Sequence, residues 1–135
     1  MPKVVFHTDS KTDLAAIRAD DHRPAARILA LMEQAKSDQE LFDRLTQHDY
    51  GQAGTADFHV SRWESQQNNE MRNLWRLKLW ELEELGIRYR VVYAFEPLTR
   101  TIAVLGIARR REFNYEDDAF TQRVIECYDR HFSRT

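Results

Sequence analysis

The stretch from Leu74 to Ala108 constrains the fold more than any other part of the chain. In LWRLKL (74–79) apolar and basic residues alternate, which puts Trp75, Leu77 and Leu79 on one face of an extended strand and Arg76 and Lys78 on the other. After a turn at Leu85 and Gly86, the run IRYRVVYAFE (87–96) is rich in aromatic and branched residues, and Pro97 to Arg100 makes a second turn before TIAVLGIA (101–108). Three consecutive strands joined in this way form an antiparallel meander, with Trp75 and Tyr93 read as core.

The flanking segments supply the layers that cover it. Val4, Val5 and Phe6 predict an N-terminal strand that stops at Thr8, Asp9 and Ser10. Ser10 with Asp13 resembles a capping box, and Leu14 and Ile17 give the short helix behind it an apolar stripe. Asp20, Asp21 and His22 interrupt that helix. Pro24 fits the first turn of a second one, along which Ala25, Ile28, Leu29, Met32 and Ala35 recur at helical spacing. A second capping box, Ser37 with Glu40, opens a further helical stretch through Leu41, Phe42 and Leu45, either separate from or a kinked continuation of the helix before it. Residues 49–73 read mostly as loop, with Phe58, Val60 and Trp63 hinting at a short strand. At the other end Phe120, Val124, Ile125, Tyr128 and Phe132 mark one face of a C-terminal helix, with Cys127 on its apolar side as a buried structural thiol. The expected order is β-α-α-β-β-β-α, an α+β fold in one domain over 1–135.

A chain of 135 residues suits one core, and no apolar run approaches the roughly 18–20 residues needed to cross a bilayer. The N-terminus lacks a secretory signal and Cys127 is the only cysteine, so the reading is a cytoplasmic protein without an internal disulfide. The net charge of −2 conceals segregation: residues 1–61 carry 7 basic and 10 acidic side chains, residues 62–111 carry 10 and 6, and residues 112–135 carry 3 and 6. The meander is therefore a basic segment between two acidic ones, and anion recognition follows the local field.

On neighbouring strands Arg76 and Lys78 share one face, as do Arg88 and Arg90, so one register of pairing gathers all four into a cationic patch. Arg109, Arg110 and Arg111 add guanidinium groups at the end of the third strand, followed by Phe113 and Tyr115. Guanidinium forks bind phosphate in a bidentate way and aromatic faces stack on unpaired bases, a combination suited to single-stranded RNA. The same alternation also describes a solvated sheet face balanced by Glu81, Glu83, Glu84 and Glu96, and the Arg triplet equally suits an acidic protein partner. No glycine-rich phosphate loop, zinc-type Cys/His spacing or serine nucleophile motif is present, so no metal and no cofactor are expected.

LWRLKL, YRVVYAF and IARRREFNY, in that order over residues 73–115, resemble the RelE/ParE superfamily of type II toxin-antitoxin toxins. The resemblance implies a RelE-like small antiparallel sheet, made of the N-terminal strand and the meander, packed with the N-terminal helices and the C-terminal helix. It implies an mRNA-cleaving endoribonuclease, of a kind that often acts on mRNA in the ribosome, neutralised by a cognate antitoxin in a hetero-oligomer. The family's catalytic positions fall on Lys78, Arg90, Arg110 (with Arg109 and Arg111 as close alternatives) and Tyr115, and Arg76, Arg88, Arg109 and Arg111 are placed as substrate-binding groups. Attack of a ribose 2′-hydroxyl on the adjacent phosphate needs a proton acceptor, a donor to the leaving oxygen and positive charge. Lys78 is read as acceptor, with Glu112 as a second candidate, Arg110 as donor or charge stabiliser, Arg76 and Arg90 as phosphate clamps, and Tyr115 as a base-stacking or orienting group. A His59–His131 pair is a further route to the same chemistry. The competing expectation is a non-enzymatic protein on the same fold, a gyrase-binding toxin of the ParE kind or an inactive interaction protein.

Overall fold

Alternation along the central strands gives a sheet with two unlike faces, each covered by a different set of helices. The computed structural model describes residues 3–110 and 118–132. In chain order these form β1 (Lys3–Phe6), α1 (Thr8–Asp20), α2 (His22–Ser37), α3 (Gln39–Arg44), β2 (Phe58–Arg62), α4 (Glu64–Asn69), β3 (Leu74–Leu79), α5 (Trp80–Glu84), β4 (Tyr89–Glu96), β5 (Thr101–Arg109) and α6 (Ala119–Phe132). The sheet order is β1-β5-β4-β3-β2.

The meander stands as expected, β3, β4 and β5 pairing antiparallel in sequence. Two expectations are corrected. The sheet is mixed, because β1 lies parallel to β5, and it has five strands, because Phe58–Arg62 pairs antiparallel with β3 as an outer strand. The polar run after it is the helical turn α4 rather than loop. Trp80–Glu84 is also helical: β3 ends at Leu79, α5 buries Leu82, and Gly86 (φ 76°) carries the chain back through the turn.

One face carries the larger core. Val60, Leu77, Val91, Tyr93, Ile102 and Val104 pack there against Ile17 of α1, Ile28 and Met32 of α2, and Phe42 of α3. Asp21 caps α2 and Asp38 caps α3, each side-chain oxygen accepting a backbone N–H, so α2 and α3 are separate helices. Neither predicted capping box forms. Ser10 lies inside α1 and donates to the His7 carbonyl at 2.7 Å, while the Asp13 carboxylate accepts the Ile107 N–H at 2.9 Å and pairs with Arg123 of α6. Asp13 takes that N–H because β1 ends at Phe6, opposite Val104, and leaves β5 without a strand partner on that side.

Among the described residues the opposite face is covered only in part. Val124 and Cys127 of α6 pack on Leu74, Val92, Ala94, Ala103 and Leu105. A β-bulge between β4 and β5 sets the position of this helix: Val92 pairs with Gly106 and Tyr93 with Val104, so Leu105 is the extra residue. Gly106 then lies under α6, where an added Cβ would stand 2.7 Å from the Phe120 ring. Among the described residues no helix is long and apolar enough to cross a membrane.

Tyr93 ties the sheet to the helical layer, its fully buried hydroxyl donating to the Leu45 carbonyl at 2.6 Å. Burial pushes its pKa well above the ordinary 10.0. The folded protein therefore keeps this proton where the unfolded chain loses it, and stability falls as pH rises above 10.0. Tyr93→Phe is expected to cost about 1–2 kcal/mol at neutral pH and to flatten this alkaline fall, both read from denaturant titrations across pH.

Candidate functional site

The half of the sheet that α6 leaves uncovered forms the floor of a groove of about 480 Å³. Its floor side chains come from alternate positions of four strands: His59 and Ser61 on β2, Arg76 and Lys78 on β3, Arg90 on β4, and Arg110 at the end of β5. His59 lies directly opposite Lys78, and Ser61 opposite Arg76. The Arg76 Nε donates to Ser61 Oγ at 2.9 Å, which fixes the guanidinium along the floor.

Four of the predicted residues, Arg76, Lys78, Arg90 and Arg110, therefore meet in one groove. Arg109 does not. The bulge turns it to the other face, where its Nε donates to the Tyr89 hydroxyl at 3.1 Å and its Nη2 pairs with Asp20 of α1 at the same distance. Arg88 is exposed before β4 begins and lines a neighbouring hollow with Ile87 and Arg109, where Arg110 also reaches. Arg111, Glu112, Phe113 and Tyr115 lie outside the described residues.

Within the groove the cations are not equivalent. Glu83 of α5 takes the Arg90 guanidinium on both carboxylate oxygens, at 3.1 and 3.4 Å, with both side chains largely buried. Arg90 is thus a fixed structural charge rather than an open phosphate clamp. Lys78 places its Nζ 4.6 Å from the centre of the Trp80 ring, a cation-π contact. Its pKa is lowered, first by burial, then by Arg90, with Arg88 and Arg76 adding to this and Glu83 opposing it.

The rim is supplied by the loop between α3 and β2. The outer strand β2 would expose unpaired backbone groups, and this loop takes them: the Val60 N–H donates to the Tyr50 carbonyl and the Arg62 N–H to His48 Nδ1, at 2.9 and 3.0 Å. The curl depends on Gly51 (φ 100°), whose Cβ, if it had one, would lie 1.8 Å from the Phe58 carbonyl oxygen. These contacts also set two imidazole tautomers. Because His48 Nδ1 accepts, its Nε2 carries the proton and faces Asp49 and Glu64 at 3.5 and 3.3 Å. His59 is the reverse: Nδ1 donates to the Gly51 carbonyl at 2.8 Å, which leaves Nε2 as the basic nitrogen of the neutral ring, 3.7 Å from Asp49.

His48, Asp49 and Glu64 were not singled out from the sequence, since nothing in a loop of that composition shows that it folds over an outer strand. His59 faces the groove, whereas His131 of α6 packs against His7, so the structure does not form the His59–His131 pair. Comparison with protein-family models, with curated proteins and with solved structures finds no match.

The opposed influences on Lys78 are open to direct measurement. Glu83→Gln is expected to lower the Lys78 titration midpoint further and Arg90→Gln to raise it, read by NMR of the labelled side chain. A midpoint unmoved in both variants would leave burial as its only determinant.

Proposed function

We propose that this chain is the RNA-cleaving toxin of a type II toxin-antitoxin pair on a RelE-like fold, with the sheet groove as its active site. The observation that carries this reading is the placement of the basic Nε2 of His59 directly across the strand pair from Lys78, on a floor that also holds Arg76 and Arg110. The order of the three meander segments supports the same reading.

The geometry favours roles for two residues that differ from those expected. An imidazole accepts a proton near neutral pH without any perturbation, whereas an ammonium must be shifted by several units to do so. His59 Nε2 is therefore the acceptor for the ribose 2′-hydroxyl proton. The 2′-oxygen then bonds to the adjacent phosphorus as the bond from phosphorus to the 5′-oxygen breaks, giving a 2′,3′-cyclic phosphate. The Lys78 ammonium supplies the proton taken up by the leaving 5′-oxygen, and its lowered pKa makes it the stronger acid for that step. Arg76 and Arg110 hold the phosphate and offset charge in the pentavalent transition state. Asp49 stands 3.7 Å from His59 Nε2, and Trp80 packs against Lys78 and His59 beside the groove. A cognate antitoxin that masks this groove is the expected partner.

The test is cleavage of a message by the purified protein, with and without ribosomes. His59→Ala and Lys78→Ala are each expected to slow cutting by about 10²- to 10⁴-fold, and Arg109→Ala, on the far face, to leave it unchanged. Replacing the 2′-hydroxyl at the cut site by hydrogen should block the reaction. Intact RNA under both conditions would overturn the proposal, and DNA breaks without RNA cuts would move the assignment to a gyrase-directed toxin.

A further inference from the structure

Away from the groove, the fold assembles three ligand-type side chains that the sequence keeps far apart. His7 occupies the junction between β1 and α1, while Cys127 and His131 stand one helical turn apart on α6. One ligand atom from each lies within 4.8 Å of the others, and the distance from Cys127 Sγ to His7 Nδ1 is 3.7 Å. The rings of His7 and His131 meet edge to face with centroids 4.7 Å apart.

We propose that His7, Cys127 and His131 form a binding site for a divalent transition-metal ion of the zinc class. A tetrahedral zinc ion with Zn–S of about 2.3 Å and Zn–N of about 2.0–2.1 Å holds its sulfur and nitrogen ligands roughly 3.5 Å apart, so the sulfur–nitrogen pair already stands near bonding separation. One thiolate and two imidazoles are a borderline-soft set suited to zinc or cobalt and poorly suited to magnesium or calcium. The thiol is buried, His7 is half-buried and His131 is exposed, so the fourth position opens toward solvent on the His131 side. Binding replaces the proton of the thiol with the metal: the S–H bond breaks, a metal–sulfur bond forms and one proton leaves to water, while the imidazoles bind as neutral rings. The bound ion would clip α6 to the start of α1, joining the two ends of the described chain.

The experiment is titration of chelator-treated protein with Co²⁺, followed by displacement with Zn²⁺. Cys127 is the only cysteine, so a thiolate-to-cobalt charge-transfer band reports this site and no histidine-carboxylate site elsewhere. One equivalent is expected to bind with that band, Zn²⁺ to displace it, and Zn²⁺ to raise the melting temperature. His131→Ala, which alters an exposed side chain, should weaken binding by about 100-fold or more and remove the melting shift. His22→Ala, on an exposed histidine of α2, should leave both intact. Absence of the band at several equivalents of Co²⁺ would overturn the proposal, as would a band of undiminished affinity in His131→Ala.

Discussion

The bulge in the β4–β5 pairing is the constraint on which the rest of the arrangement depends. Strand side chains alternate with a period of two, so one inserted residue exchanges the faces of everything beyond it. Before the bulge Ile102 and Val104 point to the α1–α3 layer, and beyond it Ile107 does. With an unbroken period Ile107 would face α6 and Arg110 would face the helices. The inserted residue instead sends Arg110 into the groove and Arg109 to Asp20. It also places Gly106, the one β5 residue without a side chain, where Phe120 needs the space.

That shift explains how one sheet face can be both core and site. α6 covers the portion where β3, β4 and β5 present Leu74, Val92, Ala94, Ala103 and Leu105, and the same strands present Arg76, Lys78, Arg90 and Arg110 beyond it. Gathering four cations is costly, and the fold offsets the cost locally. Glu83 neutralises Arg90, the Trp80 ring faces Lys78, and Ser61 holds Arg76. Glu83 reaches Arg90 because Trp80–Glu84 turns as a helix directly after β3, which moves an acidic side chain from a strand edge to the groove wall.

The meander was legible because its strands are half-buried and their alternation is strict. Leu77 with Arg76 and Lys78 states a face assignment that only a shift of register could reverse. β2 was less legible because, as an outer strand, it is completed by backbone and imidazole groups of a loop, which leave no periodic trace. Asp13 shows a second limit: its spacing from Ser10 fits a local cap, yet its carboxylate is used by Ile107, which lies 94 positions away, and by Arg123. Arg110 reaches the groove and Arg109 the opposite face for one reason that the sequence does not display: a bulge is a property of two strands together. His48 and His59 were present in the sequence, but their tautomers follow from which nitrogen meets Arg62 and which meets Gly51.

Several attachments of α6 lie apart from the groove. Toward its C-terminal end Arg72 takes both Asp129 oxygens at 2.9 Å and the Tyr128 hydroxyl accepts the Asn73 N–H at 3.0 Å. Nearer its start Arg123 pairs with Asp13. None of these side chains lines the groove. Of the charges in the groove, the buried Arg90–Glu83 pair carries structural weight, because removing one partner would leave an uncompensated buried charge. Displacing α6 would act differently: it would uncover Val92, Ala103 and Leu105 and extend the basic floor into an apolar one. A sheet face divided in this way keeps the basic groove and the apolar contacts beneath α6 on separate residues, with β3 and β4 contributing to both.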